Sequence, residues 1–270
     1  MVNDSREIII TMFNKQGKNV LPLVLAAVGA FLVLGLAPSA LAQGGPPMLT
    51  DDPGTPGNKK WEVNFLSTLE RTRGGWLFEA PNVDINYGLG NHIQLKFEAP
   101  WVVAKEAGGK TRSGPGNSMF GVKWRFVDEE SRGFDMSTYP QLEFNNPTRS
   151  VERGLVSDGM RLFLPVEVVK KVGPVEVNGE LGYAIVQDGS DEVEYGLAVG
   201  RQVTRRIELI GELHGSGLRT MRGHELLFNI GSRVVLSKNS VLLVSAGRTI
   251  HNRAGEGPEH IAALGIQFNF

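Results

Sequence analysis

No cysteine occurs among the 270 residues. That absence excludes a disulfide framework, a thiolate zinc site, a cysteine nucleophile and an acylated lipoprotein cysteine. A charge excess is missing too: 28 Lys and Arg stand against 29 Asp and Glu, a formal net of −1. A nucleic-acid binder would carry a basic surplus, so nucleic acid is not an expected partner. Apolar residues are only 41% of the chain, and mean hydropathy is −0.11. Beyond residue 42 there is no long apolar run and no sustained helical period with caps. Glycine, by contrast, is abundant at 34 residues. Such a chain suits an all-β fold if its apolar residues alternate with polar ones.

One apolar run does exist, at residues 20–42, which read VLPLVLAAVGAFLVLGLAPSALA without a charge. Lys15 and Lys18 precede it, Pro38 breaks its helix, and Ala40-Leu41-Ala42 offers a small-residue cleavage box before Gln43. These are the three parts of a secretory signal peptide. The run is also long enough for a transmembrane anchor, but the box and the polar Gln43-Gly44-Gly45 favour cleavage. A start at Met12 would shorten the basic leader; Met1 is the other start. Cleavage leaves 228 residues with 25 basic and 27 acidic side chains, net −2, in an exported chain. Residues 43–60 follow, with Pro46, Pro47, Pro53 and Pro56 among glycines and aspartates. That segment is neither helix nor central strand, and is expected to be a periplasmic lead or a plug.

From residue 61 to 270 the dominant signal is period two. Ile93, Leu95, Phe97, Ala99 and Trp101 alternate with Gln94, Lys96, Glu98 and Pro100. Phe120, Val122, Trp124 and Phe126 alternate with Gly121, Lys123 and Arg125. Twelve such strands are expected, near 61–71, 76–87, 91–103, 118–127, 134–145, 159–170, 174–186, 192–202, 206–214, 224–236, 240–250 and 260–270. A change of phase at Pro81 points to a bulge, while residues 241–244 are apolar on both parities. Connections after even-numbered strands are mostly short, such as Gly88-Leu89-Gly90 and Ser237-Lys238-Asn239, and the others mostly long and polar. Short turns at one end and long loops at the other are the asymmetry of an outer-membrane barrel. Soluble barrels alternate as well, so two further features matter. Trp61, Tyr87, Trp101, Phe126 and Phe134 cluster near strand ends on the apolar parity, as interfacial girdles do, and the final strand stops on Phe270. The expectation is an all-β, antiparallel, up-and-down transmembrane barrel behind a cleaved signal peptide. Its partners would be outer-membrane lipid, the barrel assembly machinery (with Phe270 as assembly signal) and a small-molecule solute.

Several stretches carry a resemblance across nearly the whole exported chain. TDDP (50–53), NYGLGNHIQLKFEAPWVV (86–103), GNSMFGVKWRF (116–126), YPQLEFNNP (139–147), NGELGY (178–183) and GELHG (211–215) resemble the transporter-like outer-membrane barrels named after the meta-pathway of phenol degradation. The resemblance implies a barrel in the outer membrane and transport of aromatic or other small hydrophobic molecules. It supplies no catalytic or ligand residues.

If the apolar parity faces lipid, the other parity lines the lumen. The expected lining is Lys96, Glu98, Lys123, Arg125, Glu143, Arg161, Glu167, Glu176, Glu180, Glu194, Glu208, Glu212 and Arg233. A basic residue at mid-bilayer costs roughly 2–4 kcal/mol, so these groups must meet water or one another. Three readings stand: a structural charge ladder, a cation-preferring or polar-solute path set by the acidic wall, or neutralisation of that wall by inward-folded Lys59 and Lys60, or by Arg219 and Arg222 of the loop after the ninth strand. Chemistry finds little support. His214-Gly215-Ser216 is too close in sequence for a nucleophile–base pair, and no G-x-S-x-G elbow occurs. His214 and His224 with Glu212 and Glu225 are a weak metal pattern, and Asp51-Asp52-Pro53 reads as a turn. No catalytic, metal or cofactor site is expected. The function expected is a passive transporter or channel; the alternatives are a non-conducting structural or loop-mediated adhesion barrel and an outer-membrane hydrolase.

Overall fold

A computed structural model describes residues 45–220, 223–252 and 257–270. The signal peptide expected at residues 1–42, and Arg222, lie outside the described residues.

Fourteen strand segments form one antiparallel sheet. Two pairs of segments are single strands broken once, which gives twelve. In order these are β1 (Trp61–Thr72), β2 (Gly75–Leu89), β3 (Ile93–Glu106), β4 (Arg112–Pro115 and Ser118–Val127), β5 (Asp135–Thr138 and Gln141–Phe144) and β6 (Arg161–Val172). They continue with β7 (Val175–Val186), β8 (Glu192–Gln202), β9 (Ile207–Leu218), β10 (Glu225–Ser237), β11 (Ser240–Asn252) and β12 (His260–Asn269). Each strand pairs with the next, and β1 pairs with β12 from Glu62↔Asn269 to Arg71↔His260. That last ladder closes the barrel and leaves no edge.

Burial runs in the opposite sense to a soluble barrel. Leu181, Leu264 and Trp124 are 61%, 57% and 54% exposed, whereas Lys123, Glu167 and Glu212 are 2%, 0% and 1%. Neighbouring residues therefore face different media: Lys123 points in and Trp124 out. Because the side-chain period is two, a slip of one residue would turn every charge to the outside. An apolar surface this extensive is not stable in water; it matches lipid. At the short-turn end Trp61 packs on Tyr87 at 4.6 Å and Trp124 on Phe126 at 5.4 Å between ring centres. Phe270 closes the same rim through Trp61: Phe270 N–H donates to the Trp61 carbonyl at 2.9 Å, and Trp61 N–H returns the bond at 3.1 Å.

The bulge expected at Pro81 is present. The β2–β3 register shifts between Glu79 and Asn82, and the β1–β2 register between Leu66 and Thr68. The doubly apolar stretch of β11 resolves with Leu243 inward (0% exposed) and Val244 outward (39%). Three boundaries differ from expectation. Residues 112–115 belong to β4, opposite 101–104 of β3, although their glycine and proline read as loop. β5 breaks at Tyr139-Pro140 because Pro140 has no N–H to give the ladder. β9 runs on to Leu218, so His214 and Ser216 sit within a strand instead of at a loop mouth.

Candidate functional site

The interior of the barrel gathers the charged residues of the sequence, and its chemistry is best built outward from Lys123. β4 aims its side chain across the lumen, where burial would be costly for an unpaired ammonium. It donates to Asp51 Oδ1 at 2.9 Å and to the Asp52 carbonyl, and lies 3.6 Å from Glu167 Oε2. Its ammonium also stands 4.5 Å from the centre of the Tyr139 ring, a residue with no exposed surface. Glu167 in turn accepts from Ser137 Oγ at 2.5 Å. Burial alone would raise the Asp51 carboxyl, but the Lys123 and Lys96 ammonium groups hold it below the usual carboxylate range.

Asp51 and Asp52 belong to the segment ahead of β1, which threads the barrel. Its main chain meets the acidic wall directly. Leu49 and Thr50 N–H donate to the Glu212 carboxylate at 3.2 and 2.6 Å, and Asp51 N–H donates to Glu180 Oε2 at 3.1 Å. Asn178 Nδ2 donates to the Asp51 carbonyl at 2.6 Å. Arg233 donates to the Pro46 carbonyl at 2.8 Å, and Ser245 Oγ to the Pro47 carbonyl at 2.9 Å. Met48 packs on Ala198 and Ile210, a small apolar island in a polar interior. The segment approaches β8 closely at Gly196, where any Cβ would collide with the Thr50 side chain. Asp52 Oδ1 accepts from Gly54 N–H, so the turn expected at Asp51-Asp52-Pro53 forms, with a lysine partner added.

A second network lines β1 to β3. Lys96 lies 3.1 Å from Glu98 and 3.5 Å from Asp84. Neutral amides extend it: Asn82 donates to Glu98 at 2.5 Å, Asn64 and Asn86 donate to Asp84 at 3.1 and 2.9 Å, and Gln94 donates to Asn86 at 2.7 Å. Arg161 pairs with Glu194 and lies 3.6 Å from Glu192, and Arg233 lies 3.8 Å from Glu208.

The thirteen residues expected on the inner parity are each buried or half-buried. Lys123, Glu180, Glu212 and Arg233 meet the threaded segment. Arg125 lies at the short-turn rim, with its Nε 2.9 Å from Asp128. Glu176 is buried on β7. Lys59, Lys60 and Arg219 do not neutralise the acidic wall, for all three are exposed. Main-chain N–H groups and the strand cations Arg161 and Arg233 take that part. Asn82, Asn86 and Gln94 carry no formal charge; the parity that Asn82 and Asn86 share with Asp84, and Gln94 with Lys96, is the signal that marks them. Tyr139, in the break of β5, carries no such signal. His214 Nε2 lies 4.0 Å from Glu194, and no metal-holding group of His, Asp or Glu occurs among the described residues.

Solved structures share this architecture. The chain is similar to an outer-membrane channel from Pseudomonas putida F1 described as COG4313: TM-score 0.63, 15% identity, covering 84% of this chain and 100% of that one. It is also similar to the KdgM porin, at TM-score 0.53 and 10% identity over 77% of this chain and 99% of that one. The NanC porin gives TM-score 0.53 and 6% identity over 76% and 98%. They share its fold. At these identities the likeness is one of architecture, that of outer-membrane channel and porin barrels. No protein-family model matches the chain, and no curated protein matches it.

Beyond the threaded segment, toward the long loops, the interior opens. A cavity of about 370 Å³ lies between β2, β3, β4, β5 and β6, covered by residues 155–157 of the loop after β5. Glu79, Glu98 and Glu143 line it together with Arg161, and Val102, Met119 and Phe163 are among its apolar lining.

Proposed function

We propose that this chain is an outer-membrane barrel that passes small solutes passively, with residues 45–54 acting as an internal plug. The observation that carries the reading is the inside-out barrel itself, whose polar interior is threaded at one end and hollow at the other. Residues 1–42 serve export, and the Phe270 strand serves insertion by the assembly machinery. The plug is held by hydrogen bonds and a few ion pairs, not by an apolar core, and such contacts exchange readily with water. A twelve-strand barrel encloses a lumen between a filled small barrel and an open porin, so a removable plug is a sufficient gate. Aromatic or small hydrophobic solutes are supported by the motif resemblance to the phenol-pathway barrels, and the predominantly acidic wall argues against anions.

The test is ion conductance in planar bilayers and solute uptake by liposomes, using refolded exported chain. Current that appears under applied voltage, or on removing the plug, supports the channel. No current and no flux in either form would overturn it in favour of a non-conducting adhesion barrel. Hydrolysis is not proposed, since His214 and Ser216 lie two apart within one strand and, among the described residues, no hydrogen bond joins them.

A further inference from the structure

The outer cavity differs from the rest of the interior in its charge balance. Lys96 is committed to Asp84 and Glu98, and Arg161 to Glu194 and Glu192. Glu79 accepts only a long hydrogen bond from Thr68 Oγ1 at 3.4 Å, and Glu143 accepts from Asn117 Nδ2 at 2.9 Å. Among the described residues neither has an ion-pair partner, although both are half-buried and face the same space. Beside them on neighbouring strands stand Val102, 3% exposed and paired in register with Glu79, and Met119, paired with Glu143. Phe163, 6% exposed, and Leu155 of the loop after β5, 7% exposed, complete the apolar lining. A volume of 370 Å³ is that of a small-molecule pocket, roughly 300–1,000 Å³.

We infer that this cavity binds a small amphiphilic organic cation. Its ammonium is held between Glu79 and Glu143, and its apolar body rests against Val102, Met119 and Phe163. Arg161 also lines the cavity, beside Glu143 on the neighbouring strand, but it is paired with Glu194 and Glu192. A bound cation therefore supplies the countercharge for Glu79 and Glu143, and attraction in a partly desolvated cavity is stronger than in water. An anion meets two carboxylates and is rejected; a neutral isostere gains the apolar contact alone. The inference names the solute class of the proposed channel, and to that extent it rests on the channel reading.

Binding is tested by calorimetric titration of the refolded exported chain in detergent, with empty micelles subtracted. The probes are benzylammonium, benzyl alcohol and phenylacetate, which share a ring and differ in charge. Saturable binding of benzylammonium is expected, with the other two weaker by at least about tenfold. The double variant Glu79→Gln/Glu143→Gln loses about tenfold or more in benzylammonium affinity, while Glu152→Gln on the exposed loop leaves it unchanged. Equal binding of the three probes, no saturable binding of benzylammonium, or unaltered affinity in the double variant overturns the inference. The probe comparison needs no substitution, so it decides even where the double variant fails to fold. Flux is read separately in liposomes. Absent flux with selective binding overturns the channel and leaves the site standing; flux without selective binding overturns the site alone.

Discussion

The two ends of the barrel interior are built from the same residue types and end in opposite states. Toward the short turns, charges find partners in the threaded segment: Lys123 in Asp51 and Asp52, Glu212 in two main-chain N–H groups, Arg233 in the Pro46 carbonyl. Toward the long loops, Glu79 and Glu143 line a 370 Å³ cavity without an ion-pair partner among the described residues. Strand composition alone does not separate the ends, because glutamates are common to both. A nonperiodic stretch of ten residues makes the difference, by supplying donors that the wall itself lacks. One end is thereby suited to closure and the other to receiving a ligand.

The largest test of that contrast removes the stretch. Deletion of residues 45–54, keeping the leader and β1, is expected to convert a closed barrel into one with steady current in planar bilayers. Heat-modifiable gel mobility should still report a folded barrel, because the strand ladder remains complete. A deleted chain that folds but stays closed would show that the segment is not the barrier. Next in size is Lys123→Met, which strands Glu167 and Asp51 without their ammonium. Removing one partner of a buried pair costs about 3–5 kcal/mol, read as a lower urea midpoint for unfolding in detergent. Adding Glu167→Gln to it should restore part of the loss, since one of the two stranded carboxylates is then neutral. Glu212→Gln comes third. The amide oxygen keeps either the bond from Thr50 or the two from Leu49 and Asn229, which share one carboxylate oxygen, at an expected cost of about 1.5–3 kcal/mol and more frequent opening in single-channel records.

Strand positions and the barrel class were legible in the sequence because lipid and lumen impose opposite demands on successive residues. The Pro81 bulge was legible for the same reason, as a break in phase. Where proline and glycine interrupt that rhythm the signal is lost: residues 112–115 have the composition of a loop, and no change of period marks the break in β5 at Tyr139-Pro140. The interior was legible as a set of inward residues and illegible as a set of partners. Glu180 and Glu212 read as an acidic wall that needs cations, yet their partners are main-chain N–H groups of residues 49–51. Main-chain donors carry no residue signature, and these contacts span from 129 to 163 positions. No local pattern encodes such a pairing.

The smallest test lies at the short-turn rim, where the threaded segment meets the outer edge of the barrel. Asn91 of the turn after β2 accepts from Thr55 Oγ1 and from Arg125 Nη2, each at 3.0 Å. Asp128 pins that turn by bonding His92 Nε2 and Arg125 Nε, both at 2.9 Å. Slight burial would raise the Asp128 carboxyl, but hydrogen bonds from His92 and Arg125 outweigh it and hold the group below its ordinary value of 3.8. A carboxyl depressed in the folded state stabilises fully above 3.8 and loses that contribution as pH falls through its lower folded value. The clasp is therefore intact at neutral pH and released only in strong acid. Because Asp128 is more than a third exposed, solvent screening limits its worth to under about 1 kcal/mol. Asp128→Asn should shift the urea midpoint by that small amount at pH 7 and by nothing once the wild-type carboxyl is protonated. A shift as large as that of Lys123→Met would mean that the rim, and not the lumen network, anchors the segment.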